Sequence, residues 1–203
     1  DGLKTPQSFI VDPGLGNYFI SNINGNPESR DNNGFIMKLD ASGKYLFSIR
    51  GGSPQITLHA PDGLTLNGNH IYVTDIDSVR WFDKNNGKPL GHIDLTGVGV
   101  KRGRGLTCDD ENNLYISDVL ANTIYKIETR NDHKISIFKK DNRLGNPSGM
   151  VYDSVHRRLI VVSRATGKIL GVGMNGKISS IIQKGFKNLH GIDWDREGDL
   201  LVS

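Results

Sequence analysis

Nine polar side chains of this 203-residue chain recur at matched places in a repeat, and their types limit the chemistry available to them. Gln7, Asp62, Arg104, Ser148 and His190 stand at the corner that opens each copy, at intervals of 55, 42, 44 and 42 residues. Asn22, Asp75, Asp118 and Arg164 stand at the following corner, each directly after a hydroxyl residue: Ser21, Thr74, Ser117 or Ser163. Carboxylates such as Asp62 and Asp118 could ligate a cation, and a histidine such as His190 could move a proton near neutral pH. Arg104 points the other way, because a fixed positive charge repels a metal ion. For Asp75 and Asp118 a plainer role is also open, since an Asp after a strand closes a turn by accepting backbone N–H groups.

Elsewhere the chemistry is thinner. Asp109–Asp110–Glu111 is acidic but falls in a turn between two strands, and Asp31-Asn32-Asn33-Gly34 has oxygen ligands without the spacing of a calcium loop. His59, His70, His92, His133 and His156 are scattered without metal-ligand spacing. There is no serine-centred nucleophile motif, phosphate-binding glycine loop or Cys/His zinc pattern. The one cysteine, Cys108, excludes an internal disulfide and lies in the apolar run GLTCD, where packing is its expected role.

The elements that position these residues follow from the repeat itself. The copies read TPQSFIVDPGLGNYFISN, APDGLTLNGNHIYVTD, GRGLTCDDENNLYISD, NPSGMVYDSVHRRLIVVSR and LHGIDWDREGDLLVS. Each full unit holds four β-like runs rich in Val, Ile, Tyr and Phe, as in GLTCD, NLYISD, TIYKIE and KISIFK of the third, with short polar links and no helical periodicity. Four short antiparallel strands per unit of about 43 residues predict an all-β chain of the β-propeller class. The expected blades are approximately 6–60, 61–102, 103–146, 147–188 and a partial 189–203, within a single domain over 1–203. The long first interval places an elongated loop at 22–34. The register breaks off half-way through the fifth copy, so the expectation is a chain truncated at its C-terminus and a six-bladed parent, with a compact five-bladed ring as the rival. Because strands alternate in direction, the nine corner residues are expected on one face around a central channel, where converging polar groups bind ligands.

Charge narrows the function. The 25 basic and 22 acidic residues are scattered along the chain without a clustered basic stripe, which argues against nucleic acid as a partner. No apolar run approaches the roughly eighteen residues of a membrane span. The sequence opens on Asp1 without Met, which suggests a leader removed earlier.

The units PDGLTLNGNHIYVTDIDSVRWFD and GRGLTCDDENNLYISDVLANTIYKIE resemble NHL-type blades, and across nearly the whole chain the pattern is similar to the senescence-marker/gluconolactonase-like propellers. The stretch YFISNINGNPESRDNNGFIMKLD resembles the first blade of exported bacterial members, which implies a periplasmic or extracellular location. Lactonases of that family hold calcium or zinc through a Glu at the first corner and Asn and Asp at later ones. Here the first corner is Gln7, and only Asp62 among the later ones is anionic. The fifth copy is similar to streptogramin-lyase-like blades, in which a His near the channel acts as base. Two readings result. In the first, a non-catalytic propeller without a cofactor binds a small polar molecule or a protein partner at its channel mouth. In the second, a metal-dependent lactonase uses Asp62 and Asp118 as ligands and His190 as general base.

Overall fold

The computed structural model describes residues 2–183, 185–195 and 197–203. It is all-β, of the β-propeller class, with four complete four-stranded antiparallel blades. Blade 1 comprises β1 (Pro6–Val11), β2 (Tyr18–Asn22), β3 (Phe35–Leu39) and β4 (Tyr45–Arg50). Blade 2 comprises β5 (Leu64–Asn67), β6 (His70–Thr74), β7 (Ser78–Asp83) and β8 (Pro89–Asp94). Blade 3 holds β9 (Gly103–Cys108), β10 (Leu114–Asp118), β11 (Thr123–Glu128) and β12 (Lys134–Lys140). Blade 4 holds β13 (Pro147–Asp153), β14 (Arg158–Ser163), β15 (Lys168–Gly173) and β16 (Ile178–Ile182), and a two-stranded sheet follows, β17 (Ile192–Trp194) with β18 (Leu200–Val202). By compactness the chain divides into Asp1–Thr96, with blades 1 and 2, and Gly97–Ser203, with the rest.

Position in the blade explains each strand's composition. Second and third strands are covered on both faces, so β10 reads LYISD and is buried at every residue. Fourth strands are edges, and β12, KISIFKK, has only exposed and half-buried residues, with lysines at both ends, which discourages further pairing. Within each unit the apolar side chains alternate between neighbouring blades. Met150 packs with Tyr115, Ile124 and Leu159 on the blade 3 side, and the next residue, Val151, packs with Leu189 and Ile192 on the β17 side. In the first unit Phe19, Ile36, Leu64, Ile71 and Phe82 form the corresponding core between blades 1 and 2.

The segment between β2 and β3 is the elongated loop that the sequence places at 22–34. It is tied down at its end: Asn32 accepts the Leu58 N–H at 2.8 Å, and its own N–H donates to Nδ1 of His59 at 3.1 Å. Arg30 pairs with Asp77 of blade 2. Outside blade 2, where Gly68 and Asn69 make a tight turn, the turns between first and second strands are closed by carboxylates. Asp109 accepts the N–H groups of Glu111 and Asn113 and the Tyr115 hydroxyl, so the acidic run at 109–111 closes a turn. Among the described residues no helix is long and apolar enough to cross a membrane.

Candidate functional site

The corners of blades 1, 3 and 4 share one backbone device. In blade 3, Gly103 pairs with Asp118 and Leu106 with Ile116, so Arg104 and Gly105 together face Ser117 in a β-bulge. Blade 1 repeats this with Gln7 and Ser8 opposite Ser21, and blade 4 with Ser148 and Gly149 opposite Val162. A bulge re-aims the side chain of its first residue out of the ladder. The second residue is usually glycine because the next blade passes so close: a Cβ on Gly105 would lie 2.2 Å from the Ser148 carbonyl, and one on Gly149 2.7 Å from that of His190.

Outside blade 4, a hydroxyl at the end of the second strand fixes this corner. Ser117 Oγ accepts the Gly105 N–H at 2.9 Å and donates to the Ser148 carbonyl at 2.6 Å. Ser21 makes the same pair of bonds to Ser8 N–H and the Asp62 carbonyl. Thr74 accepts from Gly63, and Ser203 accepts from Gly191. Blade 4 corrects the repeat alignment, because Pro147 pairs with Ser163. Ser163 therefore stands where Asp118 stands in blade 3, Val162 stands in the place of Ser117, and Arg164 lies one residue beyond the ladder. The consecutive apolar residues of LIVVS hide this slip, since no polar residue inside the run marks the register. With no hydroxyl at that place, Gly149 N–H donates directly to the His190 carbonyl at 2.8 Å.

Three of the four predicted following-corner residues bind backbone. Asp118, fully buried, accepts the N–H groups of Lys101, Arg102, Leu120 and Ala121 at 2.6–3.2 Å. Asp75 accepts those of His59, Ala60 and Ile76 and the Arg80 Nε–H. Asn22 accepts the Lys4 N–H at 2.8 Å. Each ties the chain that leads into its own blade to the end of the second strand. Gln7 is half-buried, and its amide donates to the carbonyls of Thr5 and Pro6.

In the Gly97–Ser203 unit the structure brings the predicted residues together. Arg104 is 7% exposed, and its guanidinium meets Nε2 of His190. A guanidinium has donors only, so Nε2 must accept, and the neutral imidazole then carries its proton on Nδ1. The His190 backbone is held on both sides, its N–H donating to Ser203 at 2.7 Å and its carbonyl accepting from Gly149. Burial, followed by the charges of Arg104, Arg164 and Arg102, lowers the imidazole pKa to about 4, so the ring is neutral at physiological pH. Arg164 is exposed. Ser148 is buried and contributes its carbonyl to the Ser117 hydroxyl. Arg102 was not singled out in the sequence, although the run Lys101-Arg102-Gly103-Arg104 is visible there as local basic charge.

Asp118 is not available to a lactonase-type metal. The Asp118 carboxylate is taken by four N–H groups, Gln7 supplies no anion, and the histidine is surrounded by cations. Among the described residues, no group of three His, Cys, Asp or Glu side chains is placed to hold an ion.

No family model and no curated protein matches the sequence. Solved structures do match in fold. A streptogramin B lyase superposes with a TM-score of 0.69 at 18% identity over 97% of this chain and 61% of that one. A virginiamycin B lyase from Staphylococcus aureus gives 0.69 at 19% over 98% and 62%. A chain of a nidogen/laminin complex gives 0.76 at 19% over 98% and 72%. The chain thus spans about three fifths of the length of the two lyases.

Proposed function

We propose that this chain is a binding propeller that holds a small polar ligand at the strand ends of its Gly97–Ser203 unit, around Arg104, Arg164 and His190. The observation that carries this reading is the Arg104–His190 contact. The lone pair with which a histidine would take a proton is occupied by an arginine N–H, and the surrounding positive charge opposes protonation further. Such an imidazole is a poor general base and a good fixed donor. The fold is compatible with either chemistry or binding: its neighbours include lyases, one of them solved with quinupristin, and a nidogen/laminin complex. Fold likeness at this identity assigns neither role.

The test pairs binding with turnover. The ¹⁵N-labelled protein is titrated with a set of small polar metabolites, and hydrolysis of glucono-1,5-lactone is followed with added Ca²⁺ or Zn²⁺. The expected result is saturable shift changes at the Gly105, Gly149 and Gly191 amides with no metal-dependent hydrolysis. Metal-dependent lactone turnover that disappears in His190→Ala would overturn the reading.

A further inference from the structure

The loop between β2 and β3 is fastened by a histidine that can serve only while it is uncharged. The Asn32 backbone N–H donates to Nδ1 of His59 at 3.1 Å, and a backbone N–H cannot accept, so this ring nitrogen carries no proton. While the contact holds, His59 is the neutral Nε2–H tautomer. A protonated imidazole bears hydrogen on both nitrogens and would meet the Asn32 N–H donor to donor.

The surrounding bonds make this contact part of a latch. Asn32 returns a bond to the same segment, its Oδ1 accepting the Leu58 N–H at 2.8 Å, and two residues on, the Gly34 N–H donates to the Leu58 carbonyl at 3.0 Å. Asn32 is held in the left-handed region, at φ 55°, which Asn enters more readily than most side chains but at a cost that its bonds must offset. The pair has little room to slide, because a Cβ on Gly51 would lie 2.6 Å from the carbonyl oxygens of both Asn32 and Leu58. Of the charged groups on the segments that meet here, Arg30 pairs with Asp77 and Arg80 with Asp75. Arg50 lies over the Phe35 ring, and Asp31 and Asp62 flank the contact in sequence. The Asp75 carboxylate also accepts the His59 backbone N–H at 3.0 Å. The histidine's backbone therefore stays anchored when its ring changes state.

We infer that the 22–34 loop is an acid-released strap: uptake of a proton from solvent on His59 Nδ1 withdraws the acceptor from Asn32, and the end of the loop lets go of the 58–59 segment while both blades stay folded. The device lies in the Asp1–Thr96 unit and goes beyond the binding function proposed above, so failure of either leaves the other standing.

The experiment follows the ¹⁵N-labelled full chain across the range in which histidines ordinarily change charge, roughly pH 8 to 5. Two signals are read on one sample: the His59 ring shifts, which report its protonation, and the exchange protection of the Asn32 and Gly34 amides, corrected for the intrinsic pH dependence of exchange. Protection of Asn32 should fall about tenfold in step with the His59 titration, as loss of one hydrogen bond with its donor left unpaired implies. Amides of β6 and β7 should keep theirs. His59→Asn, which offers a non-titrating oxygen near the place of Nδ1, should hold Asn32 protected throughout, and His59→Ala should leave it weakly protected at every pH. Should either variant fail to fold, the wild-type titration decides alone. Asn32 protection that does not follow the charge of the ring, that falls equally in His59→Asn, or a ring that takes up no proton before the blades unfold overturns the strap.

Discussion

The Ser117 hydroxyl and the Ser148 carbonyl, 2.6 Å apart, join blade 3 to the corner of blade 4. The same oxygen accepts the Gly105 N–H, so one buried side chain satisfies two backbone groups across a seam that glycine keeps narrow. Ser117→Ala leaves both groups buried without this partner and should cost about 1–3 kcal/mol. The urea-unfolding midpoint measures it, and an unchanged midpoint would show that the seam does not depend on the hydroxyl.

Asp118 should matter more for folding than for ligand. Removing its carboxylate strands four N–H groups at once, so Asp118→Ala is expected to cost about 3 kcal/mol or more, with Asp118→Asn falling between it and the wild type because an amide keeps one acceptor oxygen. Chemical denaturation of the three proteins checks the order. Equal stability of all three would remove the turn-closing role.

The first unit holds a buried charge cluster that the repeat pattern did not disclose. Lys84 Nζ lies 2.9 Å from Asp12, and Lys38, 4% exposed, donates to the Lys84 carbonyl at 2.8 Å beneath the Phe19 and Phe47 rings. Burial pushes the Asp12 carboxyl up, but the Lys84 hydrogen bond, the Gly14 N–H and the charges of Lys84 and Lys38 bring it below the usual range. A lowered carboxylate contributes stability that is present above its unfolded pKa of about 3.9 and is lost as pH falls through its folded value. Lys84→Met should therefore destabilise the protein at pH 7, by about 3 kcal/mol for a stranded buried charge. That gap should close as the pH falls below the ordinary carboxylate range. Stability measured against pH for both proteins tests this, and a gap that does not depend on pH contradicts it.

The blades were legible in sequence because each is a local unit whose strands alternate with Gly/Asn/Asp turns, and because the corner dipeptides Asp62-Gly63, Arg104-Gly105, Ser148-Gly149 and His190-Gly191 repeat in register. What those dipeptides do was not legible. The need for glycine comes from the next blade's carbonyl, some 40 residues away. The slip at Arg164 was hidden because apolar β-branched residues fit either side of a seam, so only pairing reveals which one faces which. Asp75 and Asp118 could be read as ligands or as turn closers until their N–H partners were located, since an isolated Asp after a strand serves both roles. The Asp12–Lys84 pair joins residues 72 apart in different blades, a separation at which periodicity carries no information.

The state of the His190 ring decides between binding and proton transfer at this corner, and long-range ¹H–¹⁵N correlation spectra of the imidazole observe it directly. With burial, and then the charges of Arg104, Arg164 and Arg102, acting on the ring, the folded pKa lies at about 4 against about 6.5 in the unfolded chain. His190 thus favours the folded state fully above about pH 6.5, and that support is lost as pH falls towards 4. The spectra should show a single neutral tautomer protonated on Nδ1 from pH 7.5 down to pH 5, and Arg104→Met should release the tautomer preference and raise the pKa part of the way, burial and the other two arginines still holding it down. An Nε2-protonated ring, or one that titrates near pH 6.5 in the wild type, would contradict the Arg104–His190 contact and the function proposed from it.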